Sequence, residues 1–267
     1  MIHHTIDFKG VNVHYQAEGN GDIVLVLIHG FMTDLRVWSS YVFSYMRDIK
    51  IVSIDLLGHG HSGWFEDTPS TMELQAEAVK AVLDHLNIKE CVMVGHSMGG
   101  YVALAFCERY AQMLDGLVLL SSSPNPDSEE KRTNRLREIA LVRAGKKDVL
   151  ARVAPEAGFA EQNRARLKDY IADLVECVHI TEDDGIVALL GGMMERKDQN
   201  AMLKECGVPQ LFIMGRCDGY IPVEAAEQFI ALNPQAEVAW LDNSGHMGFI
   251  EQPKECAEAL LSFVAKL

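Results

Sequence analysis

The stretch ECVMVGHSMGGYVALAF, residues 90–106, places Ser97 between glycines, after an apolar run and before a helical pattern. G-x-S-x-G alone arises by chance in about one chain in ten of this length, given average glycine and serine contents. Here the apolar run predicts a buried strand, and the 3/4 spacing in 98–110 predicts a helix. A serine on a sharp strand-to-helix turn is exposed at the carboxyl edge of a sheet. Ser97 is therefore the predicted nucleophile, and a glycine-rich turn without chemistry is the alternative.

Short apolar runs recur along the chain on either side of this turn. Runs apolar on both faces are typical of buried parallel strands, and they cover 23–30, 49–58, 91–97, 114–123, 208–215 and 236–242. Alternation of Val11, Val13 and Tyr15 predicts an earlier strand. Helical patterns at 70–86, 98–110, 223–233 and 254–267 separate the runs. Such alternation predicts an α/β fold with a doubly wound, mostly parallel sheet flanked by helices.

The alternation stops between about residues 125 and 205, where one helical pattern follows another. This segment is nearly neutral, with 14 basic and 16 acidic residues, whereas the whole chain carries a net charge of −14. We therefore predict a core domain of residues 1–124 and 206–267 and an inserted helical cap of residues 125–205.

Composition restricts the classes of partner. A net charge of −14 disfavours nucleic acid and anionic membranes. Six cysteines without C-x-x-C spacing are expected to be reduced thiols. Neither a signal peptide nor a membrane-spanning run is evident. We expect a cytoplasmic protein without nucleic-acid or membrane partners, either a monomer or a homodimer.

A serine hydroxyl needs a base to remove its proton, and histidine suits neutral pH. His246 lies in DNSGHMGFIEQP, a loop between the last predicted strand and the last helix. His59 and His61 also follow a strand, and His96 adjoins Ser97. Because the carboxyl edge of an α/β sheet is where sites form, the loop position makes His246 the predicted base.

The group that orients this base is expected after the strand QLFIMG, in the chain order Ser, Asp, His. The segment GRCDGYIP supplies Asp218 there. Glu224 begins a predicted helix, Asp242 is only four residues before His246, and Asp127 follows the preceding strand. Asp218 is the predicted acid, with Asp127 as its remaining competitor.

The charge that develops on a carbonyl oxygen during acyl transfer needs hydrogen-bond donors. The backbone N–H of Met98, directly after the nucleophile, is one predicted donor. The N–H of Phe31, in HGFMTDLRVW after an early strand, is the other. His29 and Gly30 in the same segment could simply form its turn. No metal and no cofactor are expected.

Five segments together resemble the α/β-hydrolase fold proteins that carry a helical cap. They occur in that family's order: LIHGFMTDLRVW, IDLLGHGHS, VGHSMGG, VPQLFIMGRCDGYIP and NSGHMGFIEQP. The resemblance covers essentially the whole predicted sheet domain and implies eight strands. It also implies a triad of Ser97, Asp218 and His246, with Phe31 and Met98 as oxyanion donors.

The cap is expected to cover the site and to select the substrate. Met32, Leu189, Met193, Met194 and Met247 are the predicted pocket residues, because they follow site residues or lie in GIVALLGGMMERK. Methionines form adaptable apolar surfaces, so a neutral ester of small or medium size is favoured. The alternative is that the Met/Leu stripe is ordinary core.

A carboxylesterase that works through an acyl-enzyme is the predicted function, with a small-molecule ester as its partner. Hydrolysis of lactones or of carbon–carbon bonds, and perhydrolysis, use the same triad. A signalling or receptor protein that retains the fold and binds a ligand or partner is the alternative from another class. Arg196 and Arg216 could contact an acidic substrate, although solvated arginines are commoner.

Overall fold

The computed structural model describes residues 3–46, 49–66 and 68–267. Within these residues, eight strands form one sheet. They are β1 (His3–Phe8), β2 (Val11–Glu18), β3 (Val24–Ile28), β4 (Lys50–Ile54), β5 (Cys91–His96), β6 (Leu114–Leu120), β7 (Gln210–Gly215) and β8 (Glu237–Leu241).

The strand order is β1-β2-β4-β3-β5-β6-β7-β8. β2 pairs antiparallel with both β1 and β4, and every other neighbouring pair is parallel. Parallel neighbours require crossover connections, which helices provide. The predicted fold class is confirmed. β1 is the strand that the sequence patterns did not reveal.

Twelve α-helices accompany the sheet in the described part of the chain. They are α1 (Ser39–Tyr45), α2 (Met72–His85), α3 (Met98–Tyr110), α4 (Glu129–Arg143), α5 (Lys147–Ala157), α6 (Glu161–Arg164), α7 (Lys168–Ile180), α8 (Asp183–Met194), α9 (Asn200–Glu205), α10 (Val223–Leu232), α11 (Gly248–Glu251) and α12 (Pro253–Val264). None of the helices described is long and apolar enough to cross a bilayer.

Side chains alternate across the sheet and fill two apolar layers. In β3, Val26 and Ile28 belong to the layer that contains α2, α3 and α10. Leu25 and Leu27 belong to the opposite layer, with α1 and α12. All five residues of β3 are buried, and each such side chain contributes about 1.5–3 kcal/mol by leaving water. The continuous apolar runs of the sequence follow from this burial on both faces.

The six helices α4 to α9 lie between β6 and β7, inside the segment predicted as a cap. α4 begins at a capped end, because the Ser128 hydroxyl accepts the N–H of Lys131. Val142, Leu150 and Leu190 of the insert join the apolar layer that holds α2 and α3. The insert therefore shares its core with the sheet, and the division into two domains stays a prediction.

α8 contains two adjacent glycines, Gly191 and Gly192, which differ in how much space a side chain would have against the core segment before α2. A Cβ atom at Gly192 would overlap the carbonyl oxygen of Ser70, whereas at Gly191 the nearest atom is Pro69 Cβ at 4.0 Å. We expect Gly192→Ala to lower the free energy of unfolding by about 1–3 kcal/mol, because the helix must move away. Gly191→Ala, its matched control, should raise it by about 0.5–1 kcal/mol through helix propensity. Urea unfolding measures both, and equal effects of the two changes would contradict this contact.

Candidate active site

Ser97 occupies the turn between β5 and α3 with a strained backbone, at φ 51° and ψ −117°. Its N–H donates to Leu120 O at 3.0 Å, and its own carbonyl accepts the Ser122 hydroxyl at 2.7 Å. A Cβ atom at Gly95 would overlap the Gly99 carbonyl oxygen. The turn therefore requires small residues on both sides of the serine, and hydrogen bonds to the β6 end fix it.

His246 and Asp218 meet in the loops that follow β8 and β7. Nδ1 of His246 lies 2.8 Å from Asp218 Oδ2. Asp218 Oδ1 accepts the backbone N–H groups of Tyr220 at 2.8 Å and Ile221 at 3.1 Å, and its side chain is fully buried. Because a carboxylate only accepts hydrogen bonds, we assign the ring proton to Nδ1. Nε2 is then the basic nitrogen.

A cavity of about 260 Å³ joins the predicted residues. Its floor is formed by the core loops, and Ser97, Met98, Phe31 and His246 all line it. Asp218 lies behind His246 and does not line the cavity. Side chains from the insert complete the walls: Lys131, Asn134, Arg135, Glu138, Ala154, Pro155, Gly158, Leu174, Val178 and Met193.

Two histidines hold the loop that carries Phe31. His29 Nδ1 lies 2.7 Å from Gly30 O, while its Nε2 accepts the Leu56 N–H at 3.0 Å. His59 Nε2 accepts the N–H of Met32 at 3.0 Å, and Met32 has a positive φ of 57°. Within the described chain, the Phe31 and Met98 N–H groups have no acceptor. Both predicted donors thus remain available at the cavity.

The five predicted pocket residues divide into two groups. Met32, Met193 and Met247 line the cavity. Leu189 and Met194 do not line the cavity, so the prediction that they are pocket residues is corrected. Leu189 is fully buried in the core cluster, close to position 58. Met194 is the half-buried last residue of α8. Only one side of α8 faces the cavity, so its apolar stripe is mostly core.

The competing acids and bases have other partners. His96 Nε2 donates to the carbonyl oxygen of His246 at 3.0 Å. This hydrogen bond helps to hold the backbone of the predicted base. Asp127 is bound by two arginines, and Asp242 pairs with Arg216 at 2.8 Å. Among the described residues, no group of three or more His, Cys, Asp or Glu side chains is arranged to hold a metal ion.

Residues 25–259 match the sequence profile of the alpha/beta hydrolase family. The chain belongs to the alpha/beta hydrolase family. The predicted family and the predicted enzyme class, a hydrolase, are thereby confirmed.

Individual relatives agree with this membership. The hydrolase is 26% identical over 259 residues to the pimeloyl-[acyl-carrier protein] methyl ester esterase of Vibrio vulnificus, covering 96% of this chain and 99% of that protein. It is 26% identical over 269 residues to the 2-hydroxy-6-oxononadienedioate/2-hydroxy-6-oxononatrienedioate hydrolase of Paraburkholderia phymatum, with coverages of 96% and 92%. It is also similar to a solved thermophilic esterase of Thermogutta terrifontis with malate bound, with a TM-score of 0.90, 27% identity and coverages of 98% and 96%.

Glu251 is a residue of the candidate site that the sequence patterns did not single out, although it belongs to the quoted motif around His246. Its side chain is buried, at 4% exposure. Its carboxylate accepts hydrogen bonds from both sides of the site: from Ser244, Gly245 and Met247 in the His246 loop, and from Ala160 and Asn163 in the insert. The His246 N–H also donates to Gly158 O at 2.8 Å. One carboxylate therefore joins the base loop to the insert.

We expect Glu251→Gln to lower the free energy of unfolding by about 2–4 kcal/mol, because the new amide NH₂ would face N–H donors in a buried site. Turnover should fall as well, since the His246 loop loses its support. Glu258→Gln, an exposed change on α12, is the control and should alter neither quantity. Urea unfolding and initial rates measure the two effects. A Glu251→Gln protein as stable as the control would contradict the role of this carboxylate.

Three buried histidines make the stability of the hydrolase depend on pH. Burial lowers the pKa values of His29, His59 and His96 below the usual 6.5. The folded chain keeps these rings neutral while the unfolded chain takes up protons below about pH 6.5, so stability is lost as the pH falls. Each ring contributes up to about 1.4 kcal/mol per pH unit to this loss.

We therefore expect the free energy of unfolding to decrease steeply between pH 6.5 and 5. His96→Gln retains a donor for the His246 carbonyl but cannot take up a proton, so it should reduce the slope by at most one proton's contribution, about 1.4 kcal/mol per pH unit. Urea unfolding at several pH values measures both slopes. Identical slopes for the two proteins would show that His96 is not kept neutral by the fold.

Proposed function

We propose that this hydrolase is a carboxylesterase that cleaves a small or medium-sized ester through an acyl-enzyme. One observation carries the proposal. Ser97, on a strained strand-to-helix turn, lines the same cavity as His246, whose ring is bound to the buried Asp218 at 2.8 Å. A serine, a histidine and a buried carboxylate in this relation are the parts of an acyl-transfer site.

In the first half of the reaction, Ser97 Oγ attacks the ester carbonyl carbon and its proton passes to Nε2 of His246. Asp218 keeps the ring in the required tautomer and stabilises the imidazolium. The negative charge on the former carbonyl oxygen is accepted by the N–H groups of Phe31 and Met98, because preorganised donors stabilise the transition state more than the ground state. His246 then returns the proton to the leaving alcohol.

In the second half, water attacks the acyl-enzyme while His246 accepts its proton. The same two N–H groups stabilise the second tetrahedral intermediate. Return of the proton to Ser97 Oγ releases the carboxylic acid and restores the enzyme. In both halves, Nε2 of His246 carries the proton: from Ser97 to the leaving alcohol in the first half, and from water to Ser97 in the second.

The size of the cavity limits the substrate. Its volume of about 260 Å³ is slightly below the usual range of ligand pockets, which begins near 300 Å³. Leu174, Val178 and Met193 supply apolar wall, which suits a short hydrocarbon chain. Two of the similar proteins are named as esterases, which is consistent with ester cleavage, although the relative from Paraburkholderia phymatum is named as a hydrolase of another kind of substrate.

Ser97→Ala should reduce kcat for ester hydrolysis by a factor on the order of 10⁴ or more, because the nucleophile is lost. Ethyl and 4-nitrophenyl esters of C2 to C8 acids serve as substrates, and circular dichroism verifies the fold. Ser262→Ala, an exposed serine of α12, is the control and should keep full activity.

A fluorophosphonate probe should label the native chain but not Ser97→Ala. Turnover by Ser97→Ala near the native rate would overturn the proposal. Absence of turnover in the native chain across the whole panel would also overturn it and would favour a ligand-binding role.

A further inference from the structure

One wall of the cavity is charged, contrary to the apolar pocket that the sequence predicts. Lys131, Asn134, Arg135 and Glu138 all line the cavity, and we call them the α4 wall. Their spacing of three or four residues places them on one face of the helix. The face that α4 turns toward the site is therefore polar.

The charges behind this wall do not cancel. Asp127, whose side chain is fully buried, lies 2.5 Å from Arg135 Nε and 2.6 Å from Arg196 Nη1. Burial raises the pKa of Asp127, but the hydrogen bonds and charges of the two guanidinium groups outweigh it and lower the pKa below its usual value. Asp127 is thus a single negative charge shared by two positive ones.

Arg196 is fully engaged away from the cavity. Its guanidinium also donates to the carbonyl oxygens of Asn125 at 3.1 Å and Met193 at 3.0 Å, and it stacks on Tyr101 at 4.0 Å from the ring centre. It is one of the arginines that the sequence left open as a substrate contact. Because one carboxylate faces two guanidinium groups, this group of three side chains has one surplus positive charge, and Arg135 is the arginine that lines the cavity.

Arg135 has donors left for a substrate. Its Nε and Nη2 bind Asp127, and within the described chain Nη1 has no hydrogen-bond acceptor. The side chain is 14% exposed, so the free nitrogen is part of a nearly buried guanidinium, where charge–charge interactions are less screened than at the surface.

The remaining groups on the wall leave the surplus positive. Glu138 is the carboxylate of the α4 wall, and burial raises its pKa. Even with Glu138 ionised, Lys131 supplies a further cation. Burial raises the pKa of Tyr220 to about 12, so this phenol adds no negative charge at neutral pH.

We propose that the substrate is an ester that carries a carboxylate on the part distant from the reacting carbonyl, and that Arg135 binds this carboxylate. The inference rests on the proposed esterase function and names its substrate class. A monoester of a short dicarboxylic acid and an acyl ester of a hydroxy acid both satisfy it. A surplus of at least one positive charge suits one carboxylate, and the guanidinium offers it N–H donors directly.

The test compares charged and neutral substrates of equal length. Monoethyl esters of C4 to C7 dicarboxylic acids are compared with ethyl esters of the neutral acids of the same carbon number. Acetate esters of hydroxy acids and of matched alcohols cover the other orientation. We expect kcat/KM to favour one charged series at least tenfold, and Arg135→Met to reduce that preference at least tenfold, as loss of a charge-assisted hydrogen bond implies.

Control variants distinguish the loss of carboxylate binding by Arg135 from a general loss of structure. Arg143→Met removes an exposed cation from the end of the same helix and should keep the native preference. Arg135→Lys retains a point charge and should retain part of it. Absence of a preference in the native chain, or an Arg135→Met protein with the native preference, would overturn the proposal.

Binding measurements keep this test independent of catalysis. Calorimetry with Ser97→Ala should detect the preferred charged ester and not its neutral match, whether or not the native chain turns esters over. Failure of ester turnover and of fluorophosphonate labelling would instead overturn the proposed esterase function. Adipate should compete with the charged ester in the native chain but not in Arg135→Met, as expected for a carboxylate site. Competition by inorganic phosphate and not by adipate would overturn the proposed carboxylate ligand.

Discussion

The backbone of Ser97 has a positive φ, and the rest of the site is arranged around this constraint. Such a conformation costs about 1–3 kcal/mol for a residue with a side chain. The pairing of β5 with β6 sustains it, because the Ser97 N–H and carbonyl are both bound at the end of β6. Ser97 lines the cavity, and Met98, at the start of α3, lines it directly after Ser97. The proposed nucleophile and one proposed oxyanion donor therefore belong to the same turn.

The base is supported in a different way, by buried hydrogen bonds rather than by backbone strain. Glu251 binds the loop of His246 and the insert together, and Gly158 O binds the His246 N–H directly. Movement of this part of the insert would break hydrogen bonds to Glu251 and to His246. The α4 wall is held separately, through Asp127 and the two arginines. The contacts of the proposed base and those of the proposed substrate-binding wall are thus separate, so one set can change while the other is kept.

Local patterns in the sequence were sufficient for the turn at Ser97 and for the order of the strands that precede Asp218 and His246, because each feature depends on a few neighbouring residues. The polar face of α4 could not be assigned in the same way. Its periodicity is visible, but which face turns toward the cavity depends on packing against α8 and α5. Leu189 and Met194 were misplaced for the same reason. β1 was missed because its residues are mostly exposed and lack an apolar run.

The positive surplus at Arg135 lies in a chain whose net charge is −14. The overall charge repels an anionic substrate at long range, but salt screens this repulsion beyond about 8 Å at physiological ionic strength. Inside the cavity the nearest charges dominate, since the interaction grows as the distance and the effective dielectric constant fall. The proposed anionic ester would therefore be weakly repelled by the protein surface and attracted at the cavity. Binding of the proposed anionic ester through the nearly buried Arg135 would be selective for this one position, because the same substrate has little attraction to the rest of the acidic surface.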